Sequence, residues 1–383
     1  MKASSTKPRI LVLDGDHKNA LAIIRHLGKT GHYTIETIAY SQASIALFSK
    51  YNSKKIIVSH PKKNPDQFIV DLLEVLKNGN YTVVLPVSYI CYQLCSVHKA
   101  AIQKYTSLTI AHPEHIYLAS SKVKTYQLAE DLNIPYPKVT PLANAEEINK
   151  VETTYPCVIK APHEAGKNIV EYANNKAELV QKFNRICSKN DFDGALPIIQ
   201  KFIVGEGAGF FAFYKDGKCK NFFIHRRIRE YPVTGGASTV AEGYYDANIE
   251  KNGKKILDHL NWEGVAMVEF KKDNSTGEYN LMEINAKFWG SLDLALSCGV
   301  NFPQMLIDDA LGKEITKNGE YGRHKFQWIL NGDLLHVLER PSALFRFMKD
   351  LFTAKNDFEW SDIKPNLFQI ANIPVHYYKK WFK

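Results

Sequence analysis

The chain lacks the features that mark membrane, secreted and zinc-clustered proteins. No apolar run approaches the length of a membrane-spanning helix, and the opening residues MKASSTKPR lack the apolar core of a secretory signal peptide. The six cysteines show neither zinc-binding spacing nor a compact disulfide framework. Internal repeats and low-complexity tracts are also missing from the sequence. These absences predict a cytoplasmic globular protein with reduced cysteines.

The chain has fewer acidic than basic residues, and this imbalance indicates which kinds of partner it could bind. The 383 residues include 49 lysines and arginines against 40 aspartates and glutamates, a formal net charge of +9. This modest excess favours anionic small ligands or an acidic surface over nucleic acid, because nucleic-acid binding concentrates basic residues in one stripe. Hydrophobic residues make up 45% and charged residues 23%, which is ordinary for a globular chain of two or three domains.

A glycine fingerprint for dinucleotides is missing after the first strand, although strands and helices alternate over residues 1–115. Strands are predicted in RILVLDGD, YTIETIAY, KKIIVSH and YTVVLPVS, and helices in NALAIIRHLGKTG and FIVDLLEVLKNG. Such alternation predicts a parallel sheet. We therefore predict an N-terminal α/β domain over residues 1–115 that does not bind a dinucleotide.

The segment VAMVEFKKDNSTGEYNLMEINAKFWGS carries two glutamates and an asparagine on a predicted hairpin. A turn centred near Thr276 places Glu269 opposite Glu283, where like charges are destabilising unless a cation neutralises them. Asn285 follows Glu283 by two residues and therefore lies on the same face of the strand. Three hard oxygen ligands suit Mg²⁺. A solvated hairpin with scattered acids is the alternative.

Two lysines upstream are placed where they could meet phosphate oxygens. Lys160 ends the apolar strand of YPCVIKAP beside a loop. Lys122 lies in SSKVKTYQLAEDLNIPYPK, which predicts a serine-capped helix that stops at a proline. Between Lys160 and the hairpin, LPIIQKFIVGEG predicts a strand with a glycine-rich exit. A lone helical lysine is usually a solvated charge, so the order of the whole set favours the phosphate-binding role.

Taken in this order, the elements resemble the ATP-grasp superfamily over roughly residues 115–315. HRRIREYPVTGGAST and LMEINAKFWGSLDLALSCGVNFP resemble its branch of predicted ATP-dependent carboligases, or carboxylate–amine ligases. The resemblance implies an α/β and α+β fold in which the N-terminal parallel-sheet domain precedes a two-lobed ATP-grasp domain. The lobes are expected at about 116–200 and 201–325, with ATP between them, and a C-terminal helical extension over 326–383. ATP and Mg²⁺, with Mn²⁺ as an alternative, are the implied cofactors.

The resemblance also assigns roles to single residues. Lys122 and Lys160 match the lysines that hold the α- and β-phosphates, and Glu269, Glu283 and Asn285 match the magnesium ligands. The other nucleotide-binding residues that it implies form the phosphate loop, the adenine hinge and the ribose contact: Gly166, Gln200, Lys201, Phe202, Ile203 and Glu206.

Three further residues are implied for the reaction itself, namely Arg227, Arg229 and Lys287. Lys287 stands where arginine is frequent, which keeps the charge but loses the bidentate fork. At strand spacing Arg227 and Arg229 share a face while Arg226 points away. A salt-bridged surface strand is the alternative for this cluster.

The implied activity is an ATP-dependent ligase that activates a carboxylate as an acyl phosphate and joins it to an amine, releasing ADP and phosphate. A carboxylating enzyme that uses carboxyphosphate and a non-catalytic nucleotide-binding module are the alternatives. Small-molecule carboxylate and amine substrates are expected, without nucleic acid, and a homodimer is compatible with this. The final IPVHYYKKWFK mixes aromatics with lysines, which suits a membrane surface, an acidic partner or packing onto its own domain.

Overall fold

The computed structural model describes residues 7–163, 169–315 and 319–381, with the backbone alone over 373–381. Three sheets organise this part of the chain. The predicted α/β and α+β architecture, with an N-terminal parallel sheet and a mainly helical C-terminal region, is confirmed. Among the described residues, no helix is both long and apolar enough to cross a membrane. Gly166 and the side chains of the basic aromatic tail lie outside what is described.

The N-terminal domain is a parallel sheet with helices between its strands. Its elements are β1 (Arg9–Val12), α1 (Lys18–Thr30), β2 (Thr34–Ala39), β3 (Lys54–Ile57), α2 (Pro65–Gly79), β4 (Val83–Leu85), α3 (Tyr89–Val97) and α4 (Lys99–Ile102). The strand order is β3-β2-β1-β4, and every pairing is parallel. The central strand β1 is an unbroken buried apolar run at Ile10, Leu11 and Val12, as expected for a strand covered on both faces.

The small lobe of the next domain has an antiparallel sheet and its own core. The elements that lead into it and form it are α5 (Pro113–Ser120), α6 (Lys122–Asp131), β5 (Val139–Thr140), β6 (Cys157–Lys160), β7 (Val170–Ala173), α7 (Lys176–Lys189) and β8 (Ile198–Lys201). The strand order is β5-β8-β6-β7. Ile159, Phe183 and Ile199 belong to a hydrophobic cluster separate from that of the other domains. The small lobe is thus a packing unit of its own.

The large lobe is built on the largest sheet and includes the C-terminal region. Its elements are β9 (Gly207–Lys215), β10 (Lys218–Tyr231), β11 (Ala237–Gly243), α8 (Ala247–His259), β12 (Gly264–Lys272), β13 (Tyr279–Asn285), α9 (Leu292–Ser297), α10 (Phe302–Ala310), β14 (Lys325–Gln327), α11 (Leu334–Glu339), α12 (Leu344–Thr353), β15 (Lys355–Asn356) and α13 (Ile363–Trp381). The order of this seven-stranded sheet is β13-β12-β9-β10-β11-β14-β15. The C-terminal region therefore contributes two strands as well as helices.

A buried ion cluster joins the C-terminal region to this sheet. Arg229 on β10 is almost fully buried and donates from Nε and Nη2 to the two carboxylate oxygens of Asp333, at 2.9 and 2.7 Å. Its Nη1 donates to Asp350 Oδ2 of α12 at 2.7 Å. Thr239 and Gln327 also donate to Asp333, at 2.9 and 2.8 Å. All three nitrogens of this guanidinium are therefore engaged within the protein.

Arg227 and Arg229 line one cavity, as their expected convergence requires, but their guanidinium groups have different partners. A bulge interrupts the pairing of β10 with β11, because Arg227 lies opposite Ala241 while Arg229 lies opposite the adjacent Val240. The extra residue on β10 breaks the two-residue alternation that the expectation assumed. Arg229 consequently serves the junction with the C-terminal region.

Replacement of Arg229 by alanine is expected to destabilise the protein strongly. It leaves Asp333 as a buried carboxylate without its cationic partner and Asp350 with Lys325 alone, at 3.6 Å, and loss of a buried partner typically costs about 3–5 kcal/mol. Arg226→Ala is the matched control on the same strand, since its side chain is 44% exposed and pairs with Glu242, an interaction worth roughly 1 kcal/mol or less. Denaturant unfolding of both variants measures the difference. Equal free energies of unfolding would contradict the role given to Arg229.

Candidate active site

The predicted hairpin forms in the predicted register. Glu269 on β12 lies opposite Glu283 on β13, and Met267 lies opposite Asn285. Glu269 Oε2 accepts a hydrogen bond from Arg227 Nη2 at 2.5 Å, and Glu283 Oε1 accepts one from Asn285 Nδ2 at 2.8 Å. Both carboxylates line one cavity of about 480 Å³. The hairpin thus brings two acids and an amide to the wall of a cleft.

The electrostatic surroundings of the two acids differ. Burial raises the pKa of Glu269, although the guanidinium of Arg227 opposes the shift. Burial acts in the same direction on Glu283, but Lys122, the hydrogen bond from Asn285 and Lys160 outweigh it, so its pKa is lowered. A divalent cation between the carboxylates would relieve both their burial and their mutual repulsion. Glu269, Glu283 and Asn285 therefore form a donor set that could hold Mg²⁺ or Mn²⁺.

The two predicted lysines line the same cavity as the acids. Lys160 ends β6, and Lys122 begins α6 behind the capping residue Ser121, whose side chain accepts from the amide of Lys124. The amide of Lys122 donates to the carbonyl of Pro162 at 2.9 Å, which ties the helix start to the chain leaving β6. Burial lowers the pKa of Lys160 to about 8, with Glu283 opposing the shift. An anionic ligand would restore its charge.

Of the predicted adenine hinge, the four residues at 200–203 do not line either described cavity. Gln200 is buried, and its Oε1 accepts from the Tyr126 hydroxyl at 2.9 Å; that hydroxyl also lies 3.1 Å from the Met282 carbonyl. The Gln200 side chain thus joins the small lobe to the strand that carries Glu283.

The other hinge residues have individual surroundings. Lys201 is exposed, and its Nζ lies 3.5 Å from Asp273 Oδ2. Ile203 is buried, and the Phe202 ring packs edge-on against Tyr172 at 5.5 Å between centroids. Glu206, by contrast, lines the cavity with the lysines and the hairpin acids. The adenine contact at the hinge stays a prediction.

Arg227 is the arginine of its cluster that points its guanidinium at the hairpin acids. Besides Glu269, it donates from Nη1 to the carbonyl of Gly236 at 3.2 Å, while its buried Nε has no hydrogen-bond partner among the described residues. Gly207 makes room for it, because a Cβ there would approach Arg227 Cδ to 2.8 Å. Arg226 instead pairs with Glu242 at 2.5 Å. The orphaned Nε leaves Arg227 with one unused buried donor.

A second cavity, of about 470 Å³, lies where the N-terminal domain meets both lobes. Lys122, Glu283, Asn285 and Lys287 line both cavities. Asp16, in the loop after β1, lines this cavity as well. The N-terminal domain and the small lobe add further polar side chains that no sequence motif indicated: His17, His60, Lys62, Ser88, Ser120 and His163. They come from different parts of the chain, with Ser120 at the end of α5 and the others in connecting segments, and they share no sequence pattern. For His17, His60, Lys62 and Ser88 the sequence did offer an indication, namely their position after β1, β3 and β4, since ligands of open α/β sheets bind beyond the carboxyl ends of strands.

Asp14 also borders the second cavity, but its carboxylate has a structural task. Its Oδ1 accepts from the Tyr40 hydroxyl at 2.7 Å, and its Oδ2 accepts from the amides of Val87 and Ser88 at 2.9 and 2.7 Å. These bonds fix the loop after β1 against the loop after β4. Lys287 stands nearby, with its Nζ 5.6 Å from the centre of the Tyr89 ring.

An N-terminal parallel sheet followed by two lobes, with lysines from the small lobe and acids from the large one lining one cavity, is the arrangement that the resemblance to the ATP-grasp superfamily implied. Residues 220–327 match the family model described as ATP-grasp in the biosynthetic pathway with Ter operon. The predicted resemblance to the ATP-grasp superfamily is confirmed by this match, which covers residues 220–327, and by the similar proteins described next.

Known proteins are similar to most of the chain. The D-aspartate ligase of Enterococcus faecium is 20% identical over 353 residues, which cover 85% of this chain and 82% of that protein. The biotin carboxylase of Campylobacter jejuni superposes with a TM-score of 0.67 at 15% identity, covering 83% of this chain and 74% of that one. An L-amino acid ligase from Bacillus licheniformis superposes with a TM-score of 0.62 at 13% identity, covering 80% and 75%. The two structures share the fold.

Proposed function

We propose that the protein is an ATP-dependent ligase that activates a carboxylate as an acyl phosphate and joins it to an amine. The main support for this proposal is that two cavities share four lining residues, namely Lys122, Glu283, Asn285 and Lys287. One cavity contains the lysines and acids suited to nucleotide phosphates. The other opens from the same residues toward the N-terminal domain. A reactive intermediate made in the first is thus within reach of an acceptor in the second.

In this proposal, Lys122 and Lys160 bind the α- and β-phosphates, and Glu206 lies near the ribose. Gly166 and the hinge residues Gln200, Lys201, Phe202 and Ile203 complete the proposed nucleotide site. Glu269, Glu283 and Asn285 would hold a divalent ion, which would supply positive charge to neutralise the phosphates during transfer. The facing carboxylates and the adjacent amide fit such an ion because all three are hard oxygen donors.

The reaction that we propose has two steps. A carboxylate oxygen attacks the γ-phosphorus, and the bond from phosphorus to the bridging oxygen breaks to release ADP. The amine then attacks the acyl carbon, the bond from that carbon to the phosphate oxygen breaks, and phosphate leaves as the nitrogen gives up a proton. Arg227, with its unused Nε, and Lys287 would stabilise the negative oxygens of both steps. No covalent enzyme intermediate is required.

The named relatives support ligation over the alternatives. A curated relative that matches 85% of this chain is a D-aspartate ligase, and an L-amino acid ligase shares the fold. Biotin carboxylase shares it equally well, so fold alone does not separate amide formation from carboxylation. The substrate acid and the amine are therefore to be identified by experiment.

The deciding experiment is a screen for substrate-dependent ADP release. Amino acids, small peptides and amino sugars are supplied in pairs with ATP and Mg²⁺, and mass spectrometry searches for a product lighter by one water than the two substrates together. We expect ADP release and a new amide from the same pair. ADP release that requires bicarbonate would favour the carboxylating alternative. ATP binding without turnover across the panel would favour the non-catalytic module.

Binding of ATP near pH 8 is expected to take up protons through Lys160. With a pKa lowered to about 8 by burial, this lysine is about half neutral at that pH in the free protein. Phosphate oxygens favour the ammonium, so its pKa rises on binding and the affinity for ATP falls as the pH increases through 8. Calorimetry in two buffers of different ionisation enthalpy counts the protons.

Lys160→Arg is the matched variant for this measurement. Arginine keeps the positive charge but stays protonated, so the variant should bind ATP with far less proton uptake at pH 8. Equal uptake by the wild type and the variant would place the titrating group elsewhere.

A further inference from the structure

Helix α12 has a second apolar face that turns away from the protein. Phe345 and Phe352 are 80% and 85% exposed, and Met348 between them is 45% exposed. These residues are three and four positions apart, so they lie along one stripe of the helix. Phe347 is buried on the opposite side, where Asp350 meets Arg229. The inward face alone accounts for packing, which leaves the outward stripe unexplained.

The charges beside the stripe have one dominant sign. Over residues 339–355 the exposed charged side chains are Arg340, Arg346, Lys349 and Lys355 against the single acid Glu339. The remaining acid of this stretch, Asp350, is buried and neutralised by Arg229. Arg346 and Lys349 lie on α12 itself, next to the outward apolar residues. An apolar stripe with a basic border is the pattern of a helix that lies in a membrane interface.

We propose that the outward face of α12 binds an anionic lipid surface. Phe345, Met348 and Phe352 enter the boundary between headgroups and acyl chains, and Arg346 and Lys349 meet the negative headgroups. A two-fold dimer through this face is disfavoured, because it would bring Arg346 and Lys349 against their own copies with only Glu339 to oppose them. The inference is independent of the proposed reaction, since the outward residues of α12 line neither cavity.

Co-sedimentation with vesicles tests the proposal on the full chain. Vesicles of phosphatidylcholine are compared with vesicles in which roughly one third of the lipid is phosphatidylserine. We expect binding to the anionic vesicles that weakens with added salt, and little binding to the neutral ones. Replacing the stripe (Phe345→Ser, Met348→Ser and Phe352→Ser together) should lower the affinity at least about tenfold. The charge reversal Arg346→Glu with Lys349→Glu should lower it comparably.

Two controls keep these variants interpretable. Val70→Ser with Val97→Ser removes exposed apolar side chains from helices of the N-terminal domain, and Lys54→Glu with Lys77→Glu reverses two exposed lysines there. Neither pair should change vesicle binding by more than about twofold. Circular dichroism and nucleotide binding confirm that each variant is folded. If the triple serine variant fails to fold, the charge reversal carries the test.

Three outcomes would overturn the proposal. The first is failure of the full chain to bind anionic vesicles at low salt. The second is vesicle binding that survives both the serine and the charge-reversal changes, which would assign it to another part of the chain. The third is self-association, or binding of an acidic protein, that depends on Phe345 and Phe352 while lipid binding is missing.

Discussion

Replacing Glu283 by glutamine is expected to abolish most turnover while leaving the protein folded. The change removes one of two facing carboxylates without altering side-chain volume. If Glu283 helps to hold an ion that neutralises charge on the transferring phosphate, about 4 kcal/mol of transition-state stabilisation is lost, which is about a thousandfold in rate. ADP release with the substrate pair found by the screen measures the effect. Raising the Mg²⁺ concentration should recover part of it.

Glu242→Gln is the control for charge removal on the same sheet. Glu242 is paired with Arg226 and lines neither cavity, so its variant should keep nearly full activity. Thermal unfolding of both variants should be close to that of the wild type. If Glu283→Gln formed ADP at nearly the wild-type rate, the proposal that the hairpin acids hold the metal ion would be wrong.

The second large effect is expected for Arg227→Lys, which should slow substrate-dependent ADP release about a hundredfold. Lysine keeps the positive charge beside Glu269. It cannot replace the two guanidinium nitrogens that donate to Glu269 and to the Gly236 carbonyl, nor the third nitrogen, Nε, which has no partner among the described residues. The affinity for ATP should change little, because the phosphates are assigned to Lys122 and Lys160. Calorimetric ATP binding and steady-state turnover separate the two effects.

Arg226→Lys is the matched control for Arg227→Lys. Arg226 precedes Arg227 on β10 but pairs with Glu242 outside both cavities, so this variant should retain most turnover. Arg229→Lys should lower stability instead, because Arg229 is held by Asp333 and Asp350. If Arg226→Lys were the more damaging of the neighbouring variants, the assignment of Arg227 to the reaction would be wrong.

The parts of the fold that depend on residues close together in the sequence could be predicted from local sequence patterns. The hairpin register that sets Glu269 against Glu283 follows from a short turn and a two-residue period. The alternation of strands and helices in the N-terminal domain likewise predicted its parallel sheet. The order of motifs also predicted that Lys122 and Lys160 act at one site, and both lysines line the same cavity.

Long-range placement could not be predicted in the same way. The bulge at Ile228 interrupts the two-residue alternation of side chains before Arg229. The carboxylate partners of Arg229 lie more than a hundred residues further along the chain. His17, His60 and His163 reach the second cavity from separate loops, and an isolated histidine carries no sequence mark of its role. The short strands β14 and β15 have three and two residues, too few for a hydrophobic period to register.

The position of β14 and β15 has a consequence for how the chain is made. Both strands complete a sheet whose other members end by residue 285, yet β14 begins only at residue 325 and β15 only at residue 355. Until then β11 has no partner on its outer side, and Arg229 has neither Asp333 nor Asp350. A nascent chain with such an open edge is prone to pair with its neighbours. A chain truncated after residue 324 lacks both strands and should therefore aggregate, although every proposed active-site residue precedes that point.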